Sequence, residues 1–437
     1  MVNWVSQLQE TAQRGDWSAV ALTLQQRYHA GDWTQLSVDE VASLVSLAIA
    51  VLKSGDFQER WDVAKVFPGL REAAIAPLIT LVQDEDEQPE TRWFAVRLLG
   101  EARHPAAIQA LVELLNSEDD DLREIASETL ATFGTHAIAS LTDLLSAPET
   151  RLLAVQALTQ IRHSVTIAPL LTVVQDDNAT IRAMTIEALG SFHDPQVPPI
   201  LIQALTDPAA SVRRAAIAGL AVRTDLTESL GLVNRFVDRL WDLNIGVCQQ
   251  AAIALGRIGA DAATDAAVDA LSRAIAAANT PEILQVEIIR ALAWIGTPPA
   301  FYSLQNLLEN PRRQAAQVSQ EIAIALGRWA DPGLKSAAAQ VLAQSLNQEF
   351  AQVPQIQQAI ALALGQLQQP IAIEPLIQLL ASQDARIGLH AIAALKQIQP
   401  QQTHQQLAAL QASQDISPEL RHGIAIALQE WQIELPQ

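Results

Sequence analysis

The sequence is poor in cysteine, in tyrosine and in basic residues. Cys248 is its only cysteine, and aromatic residues make up 4% of the 437 positions. A single cysteine excludes an intramolecular disulfide and a metal site completed by cysteines of one chain. The 48 acidic residues outnumber the 28 Lys and Arg, which gives a net charge of −20 without any basic cluster. This charge repels phosphate backbones and anionic membranes, so we expect no nucleic-acid binding and instead a protein partner with a basic patch.

The chain also lacks a long apolar run. Its first residues show no basic segment followed by an apolar one, so no signal peptide is predicted. The most apolar stretch, residues 44–52, has about half the length needed to cross a bilayer. We therefore expect a soluble, cytoplasmic protein without membrane insertion.

What recurs is a short segment at the end of a helix, usually containing leucine, at intervals of 28 to 38 residues. The aligned position is occupied by Phe67, Leu99, Leu130, Leu158, Leu189, Leu220, Leu255, Leu292, Leu326, Leu364, Leu395 and Leu428. A period of this size predicts a solenoid, in which each repeat buries its apolar face against its neighbours. The predicted fold is all-α, a right-handed α-α superhelix of about 12 two-helix repeats.

One repeat illustrates the pattern. Residues 166–174 have helical apolar spacing with Pro169 in the first turn, where a missing N–H costs nothing. Residues 175–178 form a polar turn in which Asn178 can cap the next helix. The second helix is predicted over residues 180–190, with Gly190 as its C-terminal cap.

Four segments are predicted along the chain. Residues 1–56 form an N-terminal helical cap, in which Gly15-Asp16 and Gly31-Asp32 each end one helix and cap the next, and in which Trp4, Trp17 and Trp33 cover the open end of the core. Regular repeats then occupy residues 57–225, and longer, irregular repeats occupy 226–370. Residues 371–437 hold the C-terminal repeats and cap.

The second helix of each repeat follows the pattern Val-Arg-x-x-Ala-x-x-Ala-Leu-Gly after an acidic turn. It is carried by Asp207 with Val212-Arg213-Arg214-Ala215-Ala216, by Asp177 with Ile181-Arg182, and by Ala188-Leu189-Gly190. The pattern resembles the short HEAT-like repeats of the phycobilisome-lyase type, and the resemblance covers residues 57–437. That family includes bilin lyases. It also includes adaptors, among them a cyanobacterial HEAT-repeat protein that associates with A-type iron–sulfur carriers, which this chain resembles most in its length, acidity and Trp-rich start.

Seven residues before the aligned position runs a column of arginines. It reads Arg60, Arg92, Arg123, Arg151, Arg182 and Arg213, followed by Cys248, Gln285, Ser319, Gln357, Gly388 and Arg421. We predict that these arginines form a structural ladder by reaching the acidic turn of their own or of the adjacent repeat. Arginine is lost where the intervals lengthen, with Pro281 and Pro354 opening second helices and the extra residues placed in turns. Residues 226–370 are therefore either a change in curvature or a docking region.

Cys248 has two interpretations. Near a helix N-terminus, a thiol of lowered pKa could ligate an iron–sulfur cluster shared with a partner. Alternatively, it is an inert, half-buried replacement for arginine. One cysteine cannot hold such a cluster alone, so no cofactor is expected to be bound tightly by this chain by itself.

Second helices are expected to face the concave side, where positions two and six before the aligned residue should meet a partner. These positions contribute Trp93, Arg97, Glu124, Glu128, Glu187, Arg214, Gln249, Arg290, Gln320 and Gln358. Trp and Arg are favoured in interface hot spots, although Trp61 at the equivalent place one repeat earlier could equally indicate end-cap packing. The acidic runs at residues 84–87 and 118–121 are predicted to form one negative rim patch.

The sequence shows no nucleophile–base pair, no phosphate loop and no complete metal site. The leading hypothesis is therefore a non-enzymatic adaptor, which the resemblance links to iron–sulfur delivery. The alternative is a phycobilin lyase or tetrapyrrole-handling chaperone, which would need an aromatic or acidic group near the bilin. Only Tyr28 and Tyr302 are present, and neither falls in the predicted concave column.

Overall fold

The computed structural model describes residues 3–261, 264–310 and 315–432. Throughout these residues the regular structure is helical, without strands. The predicted α-solenoid is therefore confirmed. The chain divides into two compact units, residues 1–200 and residues 201–437, which we call the N-terminal and the C-terminal unit.

The helices follow one another through short turns. Those up to the division of the chain are α1 Asn3–Gln13, α2 Trp17–His29, α3 Val38–Ser54, α4 Phe57–Ala64, α5 Phe67–Leu70, α6 Ile75–Gln83, α7 Pro89–Ala102, α8 Ala107–Leu114, α9 Asp120–Thr132, α10 Ile138–Leu144, α11 Pro148–Gln160, α12 Ile167–Leu171, α13 Ala179–Gly190 and α14 Val197–Ala204. The boundary between the two units falls within α14.

The C-terminal unit continues in the same manner. Its helices are α15 Ala210–Ala221, α16 Leu232–Arg239, α17 Ile245–Asp261, α18 Thr264–Ala276, α19 Glu282–Ile295, α20 Pro298–Glu309, α21 Ala316–Gly327, α22 Pro332–Ser345, α23 Pro354–Leu367, α24 Ile373–Leu379, α25 Ala385–Gln397, α26 Pro400–Ala412 and α27 Pro418–Gln432. Short 3₁₀ turns lie at Asp32–Gln35, Arg71–Ala74, Gly134–His136, Ser164–Thr166, Thr224–Leu226, Glu349–Gln352 and Pro370–Ala372.

Each unit has two layers of helices. In the N-terminal unit the first helices α6, α8 and α10 contact one another in sequence, and so do the second helices α7, α9, α11 and α13. In the C-terminal unit the second-helix layer runs through α15, α17, α19, α21, α23 and α25, beside first helices α16, α18, α20 and α22. Each helix therefore packs on its own partner and on the equivalent helix of the next repeat, as a solenoid requires.

The aligned leucines form the core between the layers. From Leu99 to Leu395 every one of them is fully buried, and Leu428 near the end is half-buried. Phe67 departs from the pattern because it begins the separate helix α5 and does not end α4. Pro68 follows it, and a proline has no N–H to donate to the carbonyl of Ala64, so α4 stops there.

Gly190 does not cap its helix, so that prediction was wrong. It is the last residue of α13, and the cap residue Ser191 has an ordinary φ of −81°. Elsewhere the glycine after the aligned leucine permits close packing of second helices. A Cβ added at Gly327 would lie 2.5 Å from the Cβ and 2.6 Å from the Cα of Ala363 on the next second helix. Only glycine allows two backbones to approach this closely.

The N-terminal helices follow part of the predicted pattern. Gly15 has a φ of +75°, and the Asp16 side chain caps α2 by accepting a hydrogen bond from the Ala19 N–H at 3.1 Å. Asp32 does not act as a cap, because it begins a 3₁₀ turn and pairs with Arg27. Ser37 caps α3 instead, together with Glu40.

The three N-terminal tryptophans are half-buried. The ring of Trp33 lies 5.2 Å from that of Tyr28, and both rings cover Gly69 of α5. The Arg27 guanidinium lies 5.5 Å from the centre of the Trp4 ring. The cap helices therefore meet the first repeat through aromatic contacts.

The irregular repeats at residues 226–370 differ in their first helices as well as in their turns. Pro281 precedes α19 and Pro354 begins α23, as predicted. The first helices α18, α20 and α22 have 12 to 14 residues, whereas α8, α10 and α12, and also α16 at the start of the irregular segment, have five to eight. The prediction that the extra residues lie only in turns was therefore wrong. The division between the two compact units at residues 200 and 201 concerns packing, so the boundaries at 56, 225 and 370 stay predictions.

Candidate functional site

The arginine column binds the turns of the solenoid in a repeated geometry. Four of these guanidinium groups donate to the carbonyl oxygen six residues earlier, at 2.7 to 2.9 Å. They are Arg123, Arg151, Arg182 and Arg213. Arg92 donates to the Val82 carbonyl instead, at 2.9 Å. These carbonyls lie where a first helix has ended and have no partner within it, so the guanidinium satisfies them.

Several of these arginines also reach the next repeat. Arg151 contacts the Asp176 carboxylate at 2.8 Å, and Arg213 contacts both oxygens of Asp242 at 2.6 and 2.8 Å. Buried Arg60 pairs with Glu90 at 2.9 Å. Such charge-assisted bonds between repeats fix the position of one turn relative to the next.

Two residues that replace arginine make the same local contact. The Cys248 thiol donates to the Asp242 carbonyl, six residues earlier, with 3.2 Å between sulfur and oxygen. The Gln285 amide donates to the Thr280 carbonyl at 2.8 Å. Neither side chain is long enough to pair with an acidic group of the following repeat as Arg213 does. Where arginine is replaced, the hydrogen bond to the carbonyl of the turn is therefore kept. The ion pair with an acidic side chain of the next repeat is lost.

The environment of Cys248 favours the second interpretation. The side chain is 4% exposed, and burial raises the pKa of the thiol, with the negative charge of Asp242 acting in the same direction. A thiol of raised pKa is a poor nucleophile and a poor metal ligand at neutral pH. The first interpretation, which needs a lowered pKa at this helix start, is therefore not the one that this environment favours. Within the described ranges, no three His, Cys, Asp or Glu side chains are grouped so that they could hold a metal ion.

This environment predicts slow thiol chemistry. In the native protein, we expect Cys248 to react with Ellman's reagent at pH 7.5 at least about tenfold more slowly than in urea, because burial both shields the sulfur and disfavours the thiolate. The rate is followed by absorbance at both conditions, with Cys248→Ser as the blank. Equal rates with and without urea would show an accessible thiolate.

The ten residues predicted to meet a partner all lie on the second helices, but they differ in environment. Glu124, Glu128 and Glu187 are exposed and have no partner among the described residues. Arg290 is held by Glu321 of the next second helix and by Glu287, both at 2.9 Å. The Arg214 guanidinium lies near Gly246 at the start of α17. Gln249, Gln320 and Gln358 are half-buried.

Trp93 and Arg97 belong to one cluster of aromatic side chains. The Arg97 guanidinium lies 4.5 Å from the centre of the Trp61 ring and 5.9 Å from that of Trp93. The rings of Phe57 and Trp93 lie 5.8 and 5.3 Å from that of buried Phe94. The sequence pattern placed Trp61 at the position equivalent to Trp93, one repeat earlier, but did not indicate Phe57. The spacing of Phe57 and Trp61 by four residues, on one face of α4, was the available signal.

Beside this cluster lies an aromatic cavity of about 220 Å³. We define it by the residues that line it: Phe57, Pro89, Glu90, Trp93, Phe94, Asp119, Asp121 and Leu122. The Phe57 side chain is 64% exposed, and it lies against the rings of Trp61 and Phe94. Asp119 caps α9 through the Leu122 N–H, and the exposed Asp121 has no partner among the described residues. The cavity thus has apolar walls and a rim of carboxylates.

An acidic groove of about 630 Å³ adjoins this cavity, and Asp119 lines both. Its polar lining consists of Gln83, Glu85, Arg92, Glu113, Asn116, Ser117, Glu118 and Asp119. Glu85 and Glu118 have no partner among the described residues. Hydrogen bonds from Gln83 and Gln109 lower the pKa of the Glu113 carboxyl. Both acidic runs, residues 84–87 and 118–121, thus contribute to this groove.

The acidic turn already binds one cation of the chain itself. The Lys53 ammonium lies 2.7 Å from Glu87 and 3.7 Å from Asp84, and this hydrogen bond with Glu87 raises the pKa of Lys53. Burial acts to raise the pKa of Glu87, but the hydrogen bond and charge of Lys53 help to hold it below its ordinary value. Residues 1–200 contain 28 of the 48 acidic residues and only 13 of the 28 basic ones. The negative charge of the protein is therefore concentrated in the N-terminal unit.

The C-terminal unit exposes apolar groups where the arginine column is interrupted. Trp241 and Leu243 are exposed in the turn before α17, and Ile245 and Ile283 are exposed at the starts of α17 and α19. Tyr302, the second tyrosine of the chain, is also exposed, on α20. None of the helices in the described residues is both long and apolar enough to cross a membrane.

The sequence matches the family model of HEAT repeats over residues 45–131, 75–149, 138–221 and 339–429. Together these ranges cover more than half of the chain. No curated protein matches the sequence significantly.

Among solved structures, the fold is similar to those of large helical-repeat proteins. Importin beta is 13% identical, with a TM-score of 0.56 over 98% of this chain and 64% of its own. A Kap121p mutant is 13% identical, with a TM-score of 0.60 over 94% of this chain and 51% of its own. Kap121p bound to Nup53p is 14% identical, with a TM-score of 0.56 over 96% of this chain and 55% of its own. The chain thus spans about half to two-thirds of the length of these proteins, and at such identities the likeness shows the fold alone.

Proposed function

This chain belongs to the HEAT repeat proteins, and from that membership we propose that it is a non-enzymatic scaffold that binds a basic segment of a partner protein. The proposed binding surface consists of the acidic groove and the aromatic cavity of the N-terminal unit. The observation that carries the proposal is that these two cavities adjoin at Asp119 and together present carboxylates without partners, among them Glu85, Glu118 and Asp121. HEAT solenoids bind proteins in related cases, as the complex of Kap121p with Nup53p illustrates.

The charge of the surface determines the class of partner. Ionised carboxylates that are not paired within the chain attract a cationic segment over a long range and raise its association rate. They also repel acidic partners, nucleic acids and anionic membranes, which gives selectivity by exclusion. Lys53 on Glu87 shows that an ammonium group is accommodated at this turn. A partner segment rich in Lys or Arg therefore fits best.

Delivery of iron–sulfur clusters, with an A-type carrier as partner, is a finer form of this proposal and rests on the sequence resemblance. The burial and raised pKa of Cys248 argue against that residue as a ligand. In this form of the proposal the partner supplies the cluster ligands. Bilin handling is the alternative. A visible absorption spectrum of the protein isolated anaerobically with its partners distinguishes cluster delivery from bilin handling. A bilin gives a strong band in the orange-red, whereas an iron–sulfur cluster gives a broad charge-transfer absorption and a brown colour.

The basic-segment proposal predicts a charge-selective and salt-sensitive interaction. We expect a fluorescein-labelled lysine-rich peptide to bind the full-length protein, and a glutamate-rich peptide of equal length not to bind. Because exposed charges are screened by salt, the affinity for the lysine-rich peptide should fall at least about tenfold between roughly 0.05 and 0.3 M NaCl. Fluorescence anisotropy measures both constants. Equal affinity for the two peptides, or an affinity that does not change with salt, would contradict the proposal.

A further inference from the structure

The aromatic cavity has features that the adjoining acidic groove lacks. Its walls are the side chains of Phe57, Trp93 and Phe94, and its rim carries the carboxylates of Glu90, Asp119 and Asp121. Electrostatic attraction of a basic segment needs the carboxylates alone, so it leaves the exposed Phe57 side chain at this wall unexplained. An exposed aromatic side chain next to an unpaired carboxylate, as Phe57 is next to Asp121, is suited to bind a cation carried on an apolar stem.

We propose that this cavity is a specificity pocket that takes one lysine or arginine side chain of the partner segment. This inference rests on the proposed function, because the same segment occupies the acidic groove. The aliphatic stem lies against the aromatic walls, and the cationic group reaches the carboxylates at the rim. A volume of about 220 Å³ is below the range of about 300–1,000 Å³ that is typical of small-molecule sites, and so it suits a single side chain.

The protein itself provides an example of this recognition. The Arg97 guanidinium covers the Trp61 ring at 4.5 Å and approaches Trp93 at 5.9 Å. Arg97 does not line the cavity, so its charge does not occupy the proposed pocket. The wall residues Phe57 and Trp93 come from α4 and α7, and the free carboxylate of Asp121 comes from α9. Three successive second helices therefore build the pocket, and its width follows from the packing of the repeats.

The carboxylates at the rim can accept further donors. Glu90 pairs with Arg60 through one oxygen, and Asp119 accepts the Leu122 N–H through one oxygen. Each ionised carboxylate has about four acceptor positions, so both retain capacity for a ligand ammonium or guanidinium group. Asp121 retains all of its capacity. The ligand charge can thus be balanced without disturbing the contacts that build the turn.

The test varies the stem of the ligand and keeps its charge. A lysine-rich peptide is compared with one in which every lysine is replaced by diaminobutyrate, which carries the same charge on a stem two methylenes shorter. Because each buried methylene contributes about 0.8 kcal/mol, the loss at one pocket should weaken binding about tenfold. We expect Phe57→Ser to abolish this difference. The exposed Trp294 of the C-terminal unit serves as the control, and Trp294→Ser should leave the difference unchanged.

Each outcome decides a separate point. If the native protein binds the lysine and diaminobutyrate peptides equally tightly, the pocket is wrong while the basic-segment proposal stands. If Phe57→Ser still binds the lysine peptide more tightly than the diaminobutyrate peptide, the lysine stem lies elsewhere. The assignment of the pocket to this cavity is then wrong. If neither peptide binds, the proposed function fails and this inference fails with it. Circular dichroism melts of both variants establish that they are folded, which the exposure of Phe57 leads us to expect.

Discussion

Replacing Asp242 with alanine is expected to lower the free energy of unfolding by about 3–5 kcal/mol, because it leaves the largely buried Arg213 without its counter-charge. The Asp242 side chain is 5% exposed and accepts two bonds from Arg213 and one from the Asn244 N–H. The urea denaturation midpoint of the full chain measures the effect. A loss below about 1 kcal/mol would show that the contact between these repeats adds little.

The acidic turn of a later repeat offers a matched control. Asp384 caps α25 through the Arg386 N–H, but Arg386 is exposed and lies 3.7 Å from it. Asp384→Ala removes a helix cap without leaving a buried charge, so we expect a loss of only about 1 kcal/mol. Each variant loses one hydrogen bond from the backbone N–H two residues later, but only Asp242→Ala also removes the pairing with Arg213. The difference between the two variants therefore estimates the contribution of the arginine link.

The effect at Asp242 should depend on pH. Burial acts to raise the pKa of this carboxyl, but the hydrogen bonds from Arg213 and Asn244 and the charges of Arg213 and Arg239 together lower it. A carboxyl of lowered pKa stabilises the folded state above its unfolded pKa of about 3.9, and this stabilisation is lost as pH falls through the folded value. The gap between native protein and Asp242→Ala should therefore be smaller at pH 3 than at pH 7.

Replacing Gly327 with alanine is expected to destabilise the protein by about 1–3 kcal/mol, although alanine is ordinarily the better helix former. The added methyl would lie 2.6 Å from the Cα of Ala363, so the backbones of α21 and α23 would have to separate. Relaxation of a flexible side chain cannot relieve this overlap. The change is measured by urea denaturation under the same conditions as for Asp242.

Gly388 provides a control of opposite sign. It lies inside α25, and nothing lies within 4 Å of the position of an added Cβ. Gly388→Ala should therefore stabilise the protein by about 0.5–1 kcal/mol through helix propensity. If both glycine variants were stabilised, the close approach of second helices at Gly327 would be contradicted.

The repeat architecture could be predicted from the sequence because one buried position per repeat leaves a periodic signal. The leucines from Leu99 to Leu395 carry it, and the arginine at seven residues before them marks the turn. Caps such as Asp16 and Asn178 are likewise local features, since each side chain binds an N–H two or three residues away. Local chemistry of this kind is readable from a few adjacent residues.

The misread elements depend on contacts between repeats. Gly190 follows an aligned leucine as a C-terminal cap would, yet it is the last residue of its helix. Gly327 follows an aligned leucine in the same way, and only the neighbouring helix reveals that it permits close packing. The raised pKa of Cys248 results from burial by the surrounding repeats, which a position near a helix start does not show. Tertiary contacts prevailed over the local pattern at Gly327 and at Cys248.

The candidate site was predictable only in part for the same reason. Trp93 and the acidic runs were visible as unusual residues at exposed positions. Phe57, Trp93 and Asp121 come from three different repeats, and no periodic signal connects them. The cavity that they line depends on the offset between successive second helices, and this offset is set by side-chain packing.

The most direct test of the account compares Asp121→Lys with Glu149→Lys in binding of the lysine-rich peptide. Both residues are exposed, without partners among the described residues, and second in their helices α9 and α11. The two variants therefore change the net charge and the helix end equally, but only Asp121 lines the aromatic cavity. We expect Asp121→Lys to weaken binding at least about tenfold more than Glu149→Lys, since a cation placed at the pocket repels the ligand directly. Equal losses in the two variants would contradict a binding site at this position.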